Sequence, residues 1–262
     1  MAENSMTDQE FELALNFHQQ GNVDQAELIY RKVLNTNPQH KHAWSNLGTI
    51  QSRKGKLEEA VKCYQKALEI DQQFSECWFN LGNCLRRAMN PAGAEAAFLQ
   101  ALKFNPSLYG AAVALGQSMT EQGKFQEAVE VFKQIISQKN DDPEVHAHMG
   151  NALRMMGRRD ESMQSYLTML NLRPNDPRIR HQFGLVLMDA GRLEEAFQEF
   201  KNSLGLKPDY AEAHNSMSIV LQMLKQDEAA LAHNQEAVRL NPKFTEAWNN
   251  LGNLYGLAGR PK

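Results

Sequence analysis

One stride governs this chain. AWSNLG at 43–48 returns as CWFNLG at 77–82 and AWNNLG at 247–252, and Trp44 stands 34 residues before Trp78 and 204, six strides, before Trp248. Rows of 34 starting at Thr7, Lys41, Ser75, Tyr109, Pro143, Pro177, Ala211 and Thr245 keep the sequence in register without a gap. Position 8 of the rows reads Ala14, Gly48, Gly82, Gly116, Gly150, Gly184, Ser218 and Gly252. Position 20 is Ala or Ser from Ala26 to Ala230, and position 24 is aromatic from Tyr30 to Phe200 before it becomes Asn234. A fixed period of this length means one supersecondary unit stacked many times, because a single unit cannot bury its own apolar face.

The columns say what the unit is. Apolar residues fall at helical spacing twice per row, as in Trp44, Leu47 and Ile50, then Ala60, Val61, Tyr64 and Leu68. A glycine usually separates the two runs (Gly21, Gly55, Gly123, Gly157, Gly191, Gly259) and ends the first helix by accepting positive φ. Met89 and Lys225 stand in its place in two rows. Small residues at positions 8 and 20 allow the two helices to approach, and the aromatic at position 24 is expected to fill the space between one pair and the next. Proline at position 32 (Pro38, Pro106, Pro174, Pro208, Pro242) stops the second helix. Asp142-Pro143 and Asp176-Pro177 place a capping carboxylate before a proline at the first helical position, and Pro91 falls at the start of its row's second helix.

The pattern W-x2-L-G…A-x3-F/Y…P with this period resembles the tetratricopeptide repeat. The resemblance implies an all-α, right-handed superhelical solenoid of antiparallel helix pairs whose first helices line a concave groove. The expected layout is an N-terminal tail at 1–6 and seven repeats over 7–244 (7–40, 41–74, 75–108, 109–142, 143–176, 177–210, 211–244). The first helix of an eighth follows at 245–262, read as a truncated repeat or a natural cap. Row seven, with Ser218 and Asn234, is expected to be the loosest full repeat. His146, Arg180 and His214 depart from tryptophan at position 4.

Composition closes several other routes. A net charge of −3 gives no basic field for nucleic acid, and no apolar run is long enough to cross a membrane. The polar start MAENSMTDQE does not read as a secretory or transit signal. Cys63, Cys77 and Cys84 lack CxxC spacing and read as reduced, packed thiols of a cytoplasmic protein. There is no G-x-S-x-G, no P-loop and no G-x-G-x-x-G. His40, His42, His146 and His148 carry no metal-ligand pattern, and Glu58-Glu59 and Glu194-Glu195 read as solvated helix starts. The chain is therefore not expected to be an enzyme, nor to need a metal or a cofactor. Met155, Met188 and Met223, at positions 12 or 13, read as buried filler, with an adaptable apolar binding surface as the alternative.

What remains is a surface. By analogy with the family, first-helix positions 2, 5, 6, 9, 12 and 13 face the groove. Rows two to five put amides there, Asn46, Asn80, Asn83, Gln117 and Asn151, with Arg53, Arg86, Arg87 and Arg154. An amide offers the donor and acceptor that an extended peptide backbone presents, and arginine adds a fork for carboxylate or phosphate. Those nine residues are the candidate partner-binding set for an extended, partly acidic polypeptide; the alternative is that they only cap and bridge neighbouring repeats. The family's clamp for chaperone tails would fall on Ala147, Asn151, Gln182, Glu212 and Ser216, most of which are the wrong residue types. The NLG first helices, with Asn46, Asn80 and Asn250 at position 6, are also similar to the repeat arm of O-linked N-acetylglucosamine transferase. The ladder breaks at Ala114, His148, Gln182 and Ser216. The reading is a protein-interaction scaffold without nucleic-acid or membrane partners. Its alternatives are the substrate-recognition arm of a glycosyltransferase lacking its catalytic part, and a structural protein that self-associates through its C-terminal helix.

Overall fold

Within each row the chain must reverse in about three residues, and that constraint shapes the turn. The second residue of this link has φ of 73–79° at Gly21, Gly55, Gly123, Gly157 and Gly191, and 57° and 61° at Met89 and Lys225. The substituted rows thus keep the glycine geometry in a region that costs a side chain about 1–2 kcal/mol. Met89 is 88% exposed, so packing does not offset the cost.

A computed structural model describes the backbone of residues 2–138 and 142–257; Gly259 and the end of the chain lie outside the described residues. Among the described residues there are fifteen α-helices and no strand. In chain order they are α1 (Ala2–Gln19), α2 (Val23–Thr36), α3 (Lys41–Arg53), α4 (Leu57–Ile70), α5 (Ser75–Arg87), α6 (Pro91–Phe104), α7 (Tyr109–Glu121) and α8 (Phe125–Gln138). They continue as α9 (Pro143–Met155), α10 (Arg159–Leu172), α11 (Pro177–Asp189), α12 (Leu193–Leu206), α13 (Ala211–Met223), α14 (Asp227–Leu240) and α15 (Thr245–Leu257). The chain divides into two compact units, Met1–Val131 and Phe132–Lys262. In the first unit α1 pairs with α2, α3 with α4 and α5 with α6, in the second α9 with α10, α11 with α12 and α13 with α14, and within each unit the pairs stack in order. The segment expected as a tail is helical from Ala2, so α1 starts ahead of its row. Its opening residues contain neither Pro nor Gly to stop a helix.

The pairs close around one repeated contact. A Cβ built on Gly82 would lie 2.5 Å from the Phe98 ring, and one on Gly184 2.5 Å from the Phe200 ring. Gly48 faces Tyr64 and Gly150 faces Tyr166 at 2.8 Å in the same sense. The position-24 aromatic therefore seats on the position-8 glycine of its own row, besides packing toward the next row as expected. Tyr64 clusters with Cys77 and Leu81, and Tyr166 with Ile179 and Phe183. Row seven changes both partners together. Asn234 is fully buried, and its amide lies 2.8 Å from Ala247 O and 3.3 Å from Leu251 N, nitrogen toward the carbonyl and oxygen toward the N–H. With no ring over it, position 8 accommodates Ser218.

Caps and links follow the sequence. Asp142 and Asp176 accept from Glu144 N at 2.9 Å and Arg178 N at 2.8 Å, and Asn90 caps α6 ahead of Pro91. At position 4 five of the eight rows place an N–H donor against the preceding loop, indole or not, while buried His146 meets no hydrogen-bond partner among the described residues. Trp44, Trp78 and Trp248 donate Nε1 to the carbonyl six residues earlier at 2.8–3.0 Å. Arg180 donates Nε to Pro174 O at 3.1 Å, and His214 Nε2 lies 3.0 Å from Pro208 O. Each of these bonds ties the start of a first helix to the loop before it. Cys63, Cys77 and Cys84 are buried and unpaired, and burial pushes the thiols of Cys63 and Cys77 up to about 11 and 12.

Candidate functional site

Helical spacing puts positions 6, 9 and 13 of a first helix on one stripe, since residues three, four and seven apart share a face. Seven of the nine candidate residues lie on α3, α5 and α7 in the first unit, six of them on such stripes and Arg86 beside them at position 12; Asn151 and Arg154 lie on α9 in the second. First helices of successive rows also touch, α3 against α5 and α5 against α7. Side chains at matching positions in adjacent rows therefore meet at a stride of 34 or 35.

A series of rungs results, each joining position 12 of one row to position 13 of the next. Arg86 approaches Glu121 at 3.9 Å and donates to Gln117. Arg154 pairs with Asp189 at 2.6 Å. Between rows two and three the polarity is reversed. Arg87 donates Nη1 to both the carbonyl and the hydroxyl of Ser52, each at 2.8 Å. Between rows one and two the rung is His18 beside Arg53, and burial, then the Arg53 charge, lowers the His18 pKa. Arg53 and Arg87 thus have no carboxylate partner among the described residues, whereas Arg86 and Arg154 do.

The amides divide in the same way. Asn46 donates to the Tyr30 hydroxyl at 3.1 Å, and Gln117 accepts from Arg86. Asn80 and Asn83 are half-buried on α5, Asn151 is exposed on α9, and none of the three makes a side-chain hydrogen bond to another described residue. The face therefore holds two free amides on α5 and two arginines without counter-ions on α3 and α5. Nearby acids are already engaged: Lys54 bonds Asp24 at 2.6 Å and Glu27 at 2.7 Å. Burial works against the Glu27 carboxylate, yet bonds from Lys54, Arg31 and Gln51 bring its pKa down to about 2.

Ser52 was not among the residues picked from sequence, although the 35-residue interval to Arg87 would have found it. The methionines require a correction. Met155 and Met223 are 57% and 49% exposed and are not core filler, whereas Met188 is half-buried and packs against the core cluster of the second unit. Both exposed methionines stand at position 13, the last residue of the first helix, and Met188 stands at position 12. Among the described residues no cluster of His, Cys, Asp or Glu could hold a metal ion, and no helix is long and apolar enough to cross a membrane.

Comparison with known proteins agrees with this architecture. Residues 10–224 match the family model described as the cilia and flagella-associated protein 70 C-terminal domain, a set of tetratricopeptide repeats. The chain belongs to that family. No curated protein sequence matches this tetratricopeptide-repeat chain significantly. Among solved structures it resembles a tetratricopeptide repeat protein from Parabacteroides merdae at 18% identity and a TM-score of 0.75, covering 95% of this chain and 98% of that one. A chain of the APC/C hetero-tetramer Cut9–Hcn1 aligns at 17% identity and a TM-score of 0.69, over 92% of this chain and 48% of that one. The present chain therefore spans about half the length of that match. YrrB, described as a tetratricopeptide-repeat protein with an unusual peptide-binding site, aligns at 21% identity and a TM-score of 0.55, over 72% of this chain and 97% of that one. At these identities the likeness is one of fold.

Proposed function

We propose that this chain is a protein-interaction module whose first-helix face, on α3, α5 and α7, holds an extended polypeptide by its backbone. The observation that carries the reading is the pair Asn80 and Asn83. They sit one turn apart, half-buried, each with an amide that no described residue satisfies. A partly desolvated amide gains from a partner that brings both a donor and an acceptor, and every peptide unit of an extended strand brings both. The peptide-binding site named for YrrB is that protein's own, but it supports the use of this fold for such a purpose. The family is named for cilia and flagella, so proteins of such an assembly are the first partners to test. Three buried, unpaired cysteines favour a reducing compartment, and we take that to be the cytoplasm. No observation favours the transferase-arm reading over this one.

The test begins with short random peptides displayed on phage and selected on the full chain, followed by fluorescence polarisation with the synthetic winners. Asn80→Ala combined with Asn83→Ala is expected to weaken them about tenfold, the effect of losing two amide hydrogen bonds. Helicity and melting should stay near wild type. Undiminished affinity in the double variant would overturn the proposal.

A further inference from the structure

The rungs between first helices do not treat their arginines alike, and the difference has a chemical meaning. Where rows three and four and rows five and six meet, the arginine faces an acid, Glu121 at 3.9 Å or Asp189 at 2.6 Å. Where rows two and three meet, a serine stands in place of the acid. The Arg87 guanidinium is held at Nη1 by two Ser52 acceptors, both neutral, while its Nε and second amino group have no acceptor among the described residues. That open edge carries two parallel N–H groups, the fork that fits a carboxylate. Tethering at Nη1 removes much of the rotamer freedom that a long side chain would otherwise lose on binding. Arg87 is an exposed residue, so the fork is accessible. One rung earlier Arg53 is exposed too and adds a second cation with no counter-ion. Asp24 and Glu27, the acids that could neutralise this end, are already engaged by Lys54.

Resting on the reading of Asn80 and Asn83 as backbone captors, we propose that the partner segment carries an aspartate or glutamate whose carboxylate docks on Arg87. Asn80, Asn83 and Arg87 are spaced i, i+3 and i+7 along α5 and share one stripe. A chain held by the two amides runs past the fork, and its acidic side chain sets the register in which it is held. Arg87 is the specificity-determining residue, and Ser52 positions it.

The same selected peptides supply the experiment. Each is made with its acidic residue as Glu and as Gln, and both forms are titrated on wild type, Arg87→Gln, and the Asn80→Ala, Asn83→Ala double variant. The expected result is selection of peptides containing Asp or Glu, with about a tenfold preference for the Glu form on wild type, as one charge-assisted pair supplies. Arg87→Gln should reduce that preference to less than about twofold, chiefly by weakening the Glu form, and a far-UV circular dichroism spectrum matching wild type certifies its fold. The asparagine double variant should weaken both forms and preserve the ratio. Three results would overturn the assignment: winners without acidic residues, equal affinity for Glu and Gln forms on wild type, or a ratio that survives Arg87→Gln. If the ratio survives while the asparagine variant still weakens binding, only the acidic register is lost. Failure of every peptide to bind removes both proposals.

Discussion

At the scale of single residues, the departures from the repeat pattern have different costs. Met89 holds φ at 57° with its side chain in solvent, so the left-handed backbone brings strain and no packing in return. Met89→Gly is expected to raise stability by about 0.5–1 kcal/mol, the relief of strain less the entropy that glycine adds to the unfolded chain. Urea unfolding of the two proteins checks it, and an unchanged or lower midpoint would show that the turn carries no strain. Arg180 and His214 show the opposite case. They look like defects at a tryptophan position, yet each supplies an N–H to the carbonyl six residues back. Sequence makes the substitution visible; the shared bond emerges only once the loop before the helix is in place.

At the scale of helices, the glycine–ring contact is the part of the design most exposed to mutation. Gly82→Ala would drive a methyl into Phe98, whose ring is fully buried and would lie only 2.5 Å from the new carbon. A loss of about 1–3 kcal/mol is expected from such overpacking. Combining it with Phe98→Leu should cost less than the two single changes summed, because the ring that meets the new methyl is gone. A strictly additive cycle would mean that the two residues do not share this contact. Row seven offers the natural counterpart, Ser218 opposite Asn234. The two columns are plain in the sequence. That the ring lies over its own row's glycine depends on how closely the paired helices approach, which spacing does not encode.

At the scale of the whole molecule, acid should be the weak side. Burial foremost lowers the pKa of His18, His40, His42, His181 and His233. His181, held between Ser216 and Tyr210, is brought to about 4. A depressed histidine favours the neutral folded form, so its contribution is complete above about pH 6.5 and is lost as pH falls toward the folded value. For His181 alone that is about 2 kcal/mol by pH 5 and about 3 below pH 4. Depressed carboxylates such as Glu27, at about 2, act in the same direction lower in the range. Urea unfolding at pH 7.5 and 5.0 measures the loss, and His181→Leu should reduce the difference between the two by about 2 kcal/mol. An identical difference in the variant would mean that His181 titrates normally when folded.

Helix pairs, turns, caps and their order were all legible in the amino-acid sequence. Each of these is set by residues a few positions apart or by a column repeated in every row, and such local signals add up over the stride. What the candidate face has to offer emerges only in the folded chain. Asn46, Arg86, Gln117 and Arg154 are consumed by neighbours, while Asn80, Asn83, Arg53 and Arg87 keep unmet donors or charge. A side chain's partner at this face stands on another helix, 16 residues away for Asn46, 31 for Arg86 and 35 for Arg154, and its free bonding capacity exists only after the helices have been brought into contact.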